Sequence, residues 1–248
     1  MASRARFYFP EPVSEGRQAA LQGDEFHHLR HVLRLAPGAE ISLFDGEGSE
    51  FQAVVVALGR SEAIVRVGRK ESGASESSLS LHLAIGMAKG EKLDLVIQKA
   101  TELGAAAIHP LATRRADVKL TPEKSGSRRD RWRRVALEAC KQSGRTRLPE
   151  VHPPRTLEEF LALELPRLRV VLDPTGQPIP PDFPDAGGPD RSMIVVAGPE
   201  GGWDPDELNR LRRGGFVPLR LGPRILRVET AAILAAGLFQ FLAGDLRD

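Results

Sequence analysis

Two stretches decide the fold of this chain: Leu221-Gly-Pro-Arg-Ile-Leu-Arg-Val-Glu-Thr-Ala231 and, before it, Gly198-Pro-Glu-Gly-Gly202. Each follows a short apolar run that predicts a buried strand, Met193 to Ala197 and Phe216 to Leu221, and each leads into a helical pattern. Two such strand-loop-helix units place both glycine-bearing loops at one edge of a parallel sheet. Open α/β sheets bind their ligands at that edge.

The two loops differ from the usual phosphate-binding loops. The chain has neither Gly-x-Gly-x-x-Gly opening a helix nor Gly-x-x-x-x-Gly-Lys-Ser/Thr. The glycines of 198–202 allow positive φ and a close approach to a flat ligand, or simply a tight turn without one. The later loop stays apolar at Ile225, Leu226 and Val228, so we expect it to be buried. There an adenine edge could pair its backbone groups.

The composition predicts a protein with room for two domains. Of 248 residues, 41% are hydrophobic, enough for one large core or two modest ones. The single cysteine, Cys140, excludes an internal disulfide and is typical of a reducing compartment. The sequence shows neither the apolar segment of a signal peptide nor an apolar run of membrane-spanning length. We therefore expect a cytoplasmic protein.

Positive charge is concentrated in one window. The whole chain carries a net charge of +2, whereas residues 124–147 contain nine Lys or Arg against two acids, which gives +7. The rest of the chain is therefore slightly acidic. A basic stripe of this kind is the usual electrostatic footprint of a nucleic-acid partner.

The amino-terminal part predicts a small β-rich domain. Turn signals separate β-branched or aromatic runs at 6–9, 40–44, 51–58 and 62–67. One helix interrupts the strands. It is predicted to be capped by Asp24, to end at Pro37-Gly38 and to bury Phe26, Leu29 and Leu33.

The other faces of that helix are basic. His27 and His31 have the i, i+4 spacing of zinc ligands, but no third ligand lies nearby in the sequence, so we expect no metal. RNA phosphate contact and a solvated surface remain as alternatives for this face.

A polar segment at 71–78 predicts a linker, and a strand at 79–86 follows it. The next helix begins near Lys89 to Lys92 and ends at Gly104, with Lys99 and Glu102 on its polar face. That face is predicted either to be solvated or to bind the substrate. Another strand covers 105–111 and ends just before Arg114-Arg115.

The basic window predicts an amphipathic helix. Its apolar stripe contains Trp132, Val135, Ala136, Ala139 and Cys140, and its arginines lie largely off that stripe. Cys140 is therefore expected to be a core residue rather than a catalytic thiol.

The last third of the chain begins with a strand at 169–172. Residues 173–191 contain six prolines among nineteen residues, which predicts a surface loop. Asp204-Pro205 predicts a capped helix start. The final helix, 229–243, is apolar on every side, so we expect it to be buried, in part against a second subunit.

The two carboxy-terminal stretches resemble the signature of the RsmE family, which methylates a uridine at N3 in bacterial small-subunit ribosomal RNA. Further similarities lie in the His-x-x-x-Val-Leu-Arg run at 28–34, in Gln98 to Gly104, and at Glu138, Gln142, Ser143 and Arg145. The resemblance implies a SPOUT-type knotted parallel-sheet methyltransferase domain over 79–248, preceded by a PUA-like β-barrel domain over 1–72. It also implies a homodimer and S-adenosylmethionine as cofactor.

The resemblance and the loop positions together predict three sets of site residues. The cofactor is expected at Leu172, Ala197, Gly198, Pro199, Glu200, Gly201, Gly202, Leu221, Gly222, Arg224, Ile225, Leu226, Arg227 and Thr230. RNA is expected at Arg4, Arg6, His28, Arg30, Arg34, Lys89, Lys99, Arg114, Arg128, Arg129, Arg131, Gln142 and Arg145. Catalytic roles are expected for Arg224, Arg227 and Glu200.

Uracil N3 carries a proton, so methylation there requires a base or donors that stabilise charge on the flanking carbonyl oxygens. We expect Arg224 or Arg227 to stabilise the anion and Glu200 to orient the site or take the proton. Two alternatives remain: a nucleotide-binding α/β enzyme acting on a small molecule, and a non-catalytic RNA-binding assembly factor. The basic window disfavours the first, and the apolar loop disfavours the second.

Overall fold

The computed structural model describes residues 4–71, 76–88, 91–116, 122–180, 183 and 191–247, and at 122–124 it describes the backbone. Contacts divide the chain into two compact units. The first comprises Met1–Glu76 and Cys140–Leu148, and the second comprises Ser77–Ala139 and Pro149–Asp248. The first unit is therefore discontinuous in sequence, because a segment beyond residue 139 belongs to it.

The first unit contains a five-stranded sheet built from β1 (Ala5–Tyr8), β2 (Gln18–Gln22), β3 (Glu40–Phe44), β4 (Glu50–Leu58) and β5 (Glu62–Glu71). The order is β1-β3-β4-β5-β2, with β1 parallel to β3 and the other pairs antiparallel. Four of these strands were predicted. The fifth, β2, alternates a buried Ala19 and Leu21 with outward residues and pairs with β5 at the sheet edge.

The helix of the first unit differs from its prediction. It starts as α1 (Gly23–His27), and Asp24 makes no capping hydrogen bond because the cap position is Gln22. A π-helical turn then runs over His28–Val32, and the N–H of Leu33 donates to the carbonyl of His28 five residues back. This wider turn shifts the apolar stripe, so Leu29 is buried while Leu33 is partly exposed.

The segment 140–148, which begins in the last turn of the basic helix, is held in the first unit by charged side chains. Arg6 donates to both carboxylate oxygens of Glu50 and to the carbonyls of Cys140 and Arg145. Burial raises the pKa of the Cys140 thiol to about 11. The expectation of a core cysteine is therefore confirmed, since the thiol is buried and stays protonated near neutral pH.

The second unit contains a seven-stranded sheet, and every pair in it is parallel. Its strands are β6 (Ser80–Gly86), β7 (Ala105–Ala112), β8 (Glu150–Val151), β9 (Arg155–Thr156), β10 (Leu168–Pro178), β11 (Ser192–Ala197) and β12 (Val217–Arg220). The order is β12-β10-β11-β6-β7-β8, and β9 pairs with β7 beyond β8. The strands β10, β11 and β6 thus form the centre, where apolar side chains are buried on both faces.

Helices accompany this sheet: α2 (Lys92–Glu102), α3 (Pro122–Ser143), α4 (Leu157–Leu161), α5 (Pro205–Arg213) and α6 (Val228–Ala243). α2 and α6 pack against each other and against strands of the sheet. Phe160 of α4 and Leu211 of α5 join a separate core cluster with Ile194 and Val196 of β11. The predicted cap of α5 is confirmed, because the Asp204 carboxylate accepts from the N–H of Asp206 at 3.0 Å.

One predicted loop is partly a strand. β10 continues to Pro178, six residues past the predicted end at Leu172, and its second part pairs with β12 after a register shift. Proline is tolerated there because, in the described part of the chain, no strand pairs with the other side of this part. Gly176 permits the pairing, since a Cβ would lie 2.7 Å from the backbone of Pro218.

The final helix is only partly buried in the isolated chain. Phe239 and Gln240 are fully enclosed, whereas Leu234 and Phe241 are 46% and 49% exposed. The expectation of burial on all sides is therefore wrong for these two side chains. Among the described residues, no helix combines the length and apolarity that crossing a membrane requires, and no group of three or more metal-ligating side chains is present there.

Candidate active site

The two loops that the sequence singles out meet in the structure. Because β10 lies between β11 and β12, the loops after β11 and β12 flank the carboxyl end of β10. Together they enclose a cavity of about 840 Å³, which we call the carboxyl-edge cavity. Its wall includes most of the predicted cofactor residues: Leu172, Ala197, Gly198, Pro199, Glu200, Gly202, Leu221, Gly222, Arg224, Ile225, Leu226 and Arg227.

Two predicted cofactor residues do not line the cavity. Thr230 lies within α6, and Gly201 faces Arg115, whose Cβ would lie 3.1 Å from a Cβ added at this glycine. The wall also contains residues that the sequence analysis did not assign to it. They include Lys92, Asp173, Thr175, Trp203, Asn209, Arg212, Val228 and Glu229.

The loop before α6 is open rather than buried. Ile225 is 87% exposed, which contradicts the expectation that this apolar loop is enclosed by the chain itself. Within the part of the chain described here, Arg224, Ile225 and Leu226 make no backbone hydrogen bond. Their amide and carbonyl groups are therefore available to a ligand. Gly222 has φ of +77°, and apart from its two chain neighbours no described residue has an atom within 4 Å of the position of its absent Cβ.

The loop after β11 is packed tightly from behind. A Cβ at Gly198 would lie 3.0 Å from the indole of Trp203, and a Cβ at Gly86 of β6 would lie 2.6 Å from the backbone nitrogen of Pro199. The indole nitrogen of Trp203 donates to the carbonyl of Leu172 at 3.0 Å. These contacts fix the loop against β6 and β10.

Asp173 forms the floor of the cavity at the end of the central pairing of β10. It is 6% exposed, and its Oδ1 accepts from the N–H and the hydroxyl of Thr175, both at 2.9 Å. Its Oδ2 lies 3.6 Å from the guanidinium of Arg212 and has no hydrogen-bond partner among the described residues. A buried carboxylate thus faces the half-exposed guanidinium of Arg212.

Charged groups of α2 and of the two motif loops also line the cavity. The Lys92 ammonium donates to Glu200 Oε1 at 2.8 Å, and this hydrogen bond raises the pKa of Lys92, with Glu229 and Arg227 close enough to affect it. Arg224 and Arg227 are exposed, and neither forms an ion pair within the described residues. The wall therefore offers two cations without a carboxylate partner, which suits a ligand that is or becomes negatively charged.

The predicted RNA contacts of the first unit fall into two groups. Arg6 is not available to RNA, because its side chain is 9% exposed and is engaged by Glu50 and backbone carbonyls. Arg4 pairs with Glu40 and Glu71, while Arg30 donates to the Gly59 carbonyl. Arg34 is exposed with φ of +53°, and His28 is half-buried with its ring edge against Phe7.

Arg145, which was predicted to contact RNA, is also buried and engaged within the first unit. It is 8% exposed and pairs with Glu76 at 2.9 Å, so its guanidinium holds the 140–148 segment in the first unit. Gln142, one turn earlier, is exposed.

The predicted RNA contacts of the second unit are mostly accessible. Arg114 pairs with Asp204 and Asp206, Lys99 pairs with Glu102, and Arg131 pairs with Asp94. Arg128 is half-buried and Arg129 is exposed. Lys89 lies outside the described residues.

Comparison with known proteins identifies the family. The sequence model of the RNA methyltransferase domain matches residues 75–240, and that of the RNA methyltransferase PUA domain matches residues 21–68. A ribosomal RNA small subunit methyltransferase E of Bacillus subtilis is 30% identical over 247 residues, which cover 96% of this chain and 95% of that protein.

Two solved structures extend the similarity to the fold. A Legionella pneumophila protein described as a methyltransferase, in complex with the bound cofactor SAM, gives a TM-score of 0.93 at 35% identity, covering 99% of this chain and 100% of that one. A ribosomal RNA small subunit methyltransferase E from Neisseria gonorrhoeae bound to S-adenosyl methionine gives 0.90 at 32% identity, covering 98% and 99%. The predicted fold class, a SPOUT-type methyltransferase domain with a PUA-like domain, is confirmed. The chain belongs to the ribosomal RNA small subunit methyltransferase E family.

Proposed function

We propose that this protein is an S-adenosylmethionine-dependent methyltransferase that modifies a uridine at N3 in 16S ribosomal RNA. The observation that carries the proposal is the carboxyl-edge cavity, where both motif loops meet beside two arginines that have no carboxylate partner among the residues described. Family membership supports the reaction class, and two similar structures hold SAM.

The cavity fits the cofactor in size and in chemistry. Its volume of about 840 Å³ lies in the range of roughly 300–1,000 Å³ typical of small-molecule sites. The free backbone groups of 224–226 would pair with an adenine edge, and Gly222 would leave room for the ligand beside its backbone. When bound, S-adenosylmethionine supplies an electrophilic methyl group. Gly201 and Thr230 would contribute only indirectly, because neither lines the cavity.

The residues of the cavity account for the change in charge at the uracil. As the N3–H bond breaks, the proton passes to the Glu200 carboxylate, and the negative charge that develops on the flanking carbonyl oxygens is stabilised by Arg224 or Arg227. N3 then forms its bond to the methyl carbon as the bond from that carbon to sulfur breaks. The charges on these arginines act most strongly in the transition state, so they should affect rate more than cofactor binding.

The remaining predictions complete the proposal. A PUA-like domain over 1–72 would bind RNA, and residues 79–248 would form the catalytic domain, with its carboxyl-terminal chain knotted. The half-exposed Leu234 and Phe241 would pack against a second copy, since apolar patches on helices commonly mark interfaces. Because its substrate would be ribosomal, the proposed homodimer would act in the cytoplasm.

Calorimetry and nucleoside analysis test the function. The purified protein should bind S-adenosylmethionine, and 16S ribosomal RNA from cells lacking the gene should lose one N3-methyluridine on mass spectrometry. A protein that binds RNA but not the cofactor would be an assembly factor instead. Cofactor binding with unchanged ribosomal RNA would point to a small-molecule substrate.

A further inference from the structure

Lys92 brings a third element of the fold into the carboxyl-edge cavity. It is the first residue of α2, the helix that follows β6, and β6 lies beside β11 in the sheet. Its ammonium reaches Glu200 in the loop after β11, at 2.8 Å from Oε1. The two side chains are similarly exposed, at 36% and 37%. The ion pair therefore joins two neighbouring strand-loop-helix units at the edge of the sheet where the cavity opens.

The contact engages only one side of the Glu200 carboxylate. Oε1 accepts from Lys92, and Oε2 has no hydrogen-bond partner within the described part of the chain. A carboxylate held through one oxygen keeps a defined orientation and presents the other oxygen to a proton donor. The hydrogen bond that Lys92 donates to Glu200 raises the pKa of Lys92, so the ammonium stays charged at neutral pH.

The Lys92–Glu200 contact also determines which cation pairs with the carboxylate in the cavity. Glu200, Arg224 and Arg227 all line the cavity, and the carboxylate pairs with Lys92 rather than with either arginine. Arg227 lies close enough to Lys92 to affect its pKa, so without Lys92 the carboxylate could pair with an arginine of the cavity instead. Such pairing would neutralise the groups that face the substrate and would also turn the carboxylate away.

We infer that Lys92 is a positioning residue that acts through Glu200. It holds one oxygen of the carboxylate, directs the other toward the N3 proton, and keeps Glu200 from pairing with Arg224 or Arg227. This inference rests on the proposed function, because it assigns Lys92 to the proton transfer of that reaction. It differs from a structural role, since an exposed ion pair of this kind adds little to the stability of the fold.

A double-mutant cycle tests the inference on the full-length protein. Single-turnover methyl transfer is measured on small ribosomal subunits from cells lacking the gene, with calorimetry of S-adenosylmethionine beside it, for Lys92→Met, Lys92→Arg, Glu200→Gln and Lys92→Met/Glu200→Gln. Lys92→Met should lower the rate roughly 10- to 100-fold, because a displaced catalytic group can cost on the order of 100-fold. Its cofactor Kd should change by less than about threefold. Lys92→Arg should restore most of the rate, and the double variant should match Glu200→Gln.

Arg167→Met provides the matched control, since Arg167 is an exposed cation of the second unit that lies just before β10, at the end of that strand opposite the carboxyl-edge cavity, and does not line the cavity. It should keep the wild-type rate. The inference is overturned if Lys92→Met has the wild-type rate, if it weakens the cofactor as much as it slows transfer, or if its effect multiplies with that of Glu200→Gln. A wild-type rate for Glu200→Gln would also overturn it. Failure of the wild-type protein to bind cofactor or to methylate the subunits would instead refute the proposed function.

Discussion

Acid should destabilise the second unit through a buried histidine of β7. His109 is 4% exposed, and its ring stacks on His152 with centroids 4.2 Å apart and on His82 at 5.6 Å. Burial lowers the pKa of His109 from its ordinary value of 6.5 to about 2, and the charges of His152, His82 and Arg155 act in the same direction. Its Nδ1 has no hydrogen-bond partner among the described residues, so the folded chain has no acceptor ready for a second proton.

The magnitude follows from proton linkage. The pKa of His109 is lower in the folded chain than in the unfolded chain, so protonation favours unfolding. The free energy of unfolding is therefore highest above the unfolded-state pKa of 6.5 and falls as the pH drops from there toward the folded-state pKa. At pH 5, roughly 1.5 below the ordinary value, His109 alone should cost about 2 kcal/mol at about 1.36 kcal/mol per pH unit. The pKa values of His82 and His152 are also lowered, mainly by burial, so the total loss should be larger.

Urea unfolding at pH 7 and pH 5 measures this loss. Both tryptophans of the chain, Trp132 and Trp203, lie in the second unit, so their fluorescence reports on its unfolding. Between the two pH values, the free energy of unfolding of His109→Leu should fall by about 2 kcal/mol less than that of the wild type. The exposed histidine variant His27→Leu should behave as the wild type. Equal losses in His109→Leu and wild type would refute the reasoning.

The other predictions concern the site and its framework. Gly222→Val should abolish S-adenosylmethionine binding in calorimetry, because a branched side chain resists φ of +77° and occupies space beside the loop; unchanged affinity in a folded variant would exclude this loop from the site. Arg224→Ala should lower the single-turnover rate far more than the cofactor affinity, whereas equal losses would make it a binding residue only. Asp204→Ala removes a helix cap and should cost about 1 kcal/mol in urea unfolding, and no change would mean that the cap is redundant. Changing Arg128, Arg129 and Arg131 to Ala should reduce the slope of log K for RNA binding against log salt concentration by up to about 0.9 per lost phosphate contact, with cofactor affinity unchanged. An unaltered slope would mean that these arginines form only a solvated face.

Local sequence patterns predicted the strands correctly where the period of apolar residues agrees with burial in the structure. The runs at β3, β6 and β11 alternate or stay apolar over their whole length, and the structure has strands there. β2 was missed because Gln-Ala-Ala-Leu-Gln has little intrinsic strand preference and is ordered by its pairing with β5. The second part of β10 was missed because proline density predicts a loop unless one neighbour of the strand is absent.

The residues of the candidate site also divide into those that local sequence patterns predict and those that depend on the fold. The two loops could be found because each glycine-bearing stretch follows its own strand along the chain. Lys92 and Asp173 could not be assigned in the same way, since their proximity depends on strand order. β6 adjoins β11 although the two strands are far apart in sequence, and β10 lies between β11 and β12, which follow each other along the chain. The exposure of Ile225 was mispredicted because an apolar loop can be kept for a ligand or a second copy rather than for the core of its own chain.

The discontinuity of the first unit sets the order in which the protein can fold during synthesis. Residues up to Glu76 leave the ribosome well before the segment 140–148 that completes this unit. Until then Glu25 and Glu76 lack the cations that pair with them in the folded chain, and Arg6, although paired with Glu50, lacks the carbonyl acceptors of that segment. A fragment cut at the linker would keep the strands but expose these charges. The basic helix that ends in this segment must therefore be made before the amino-terminal unit reaches its final stability.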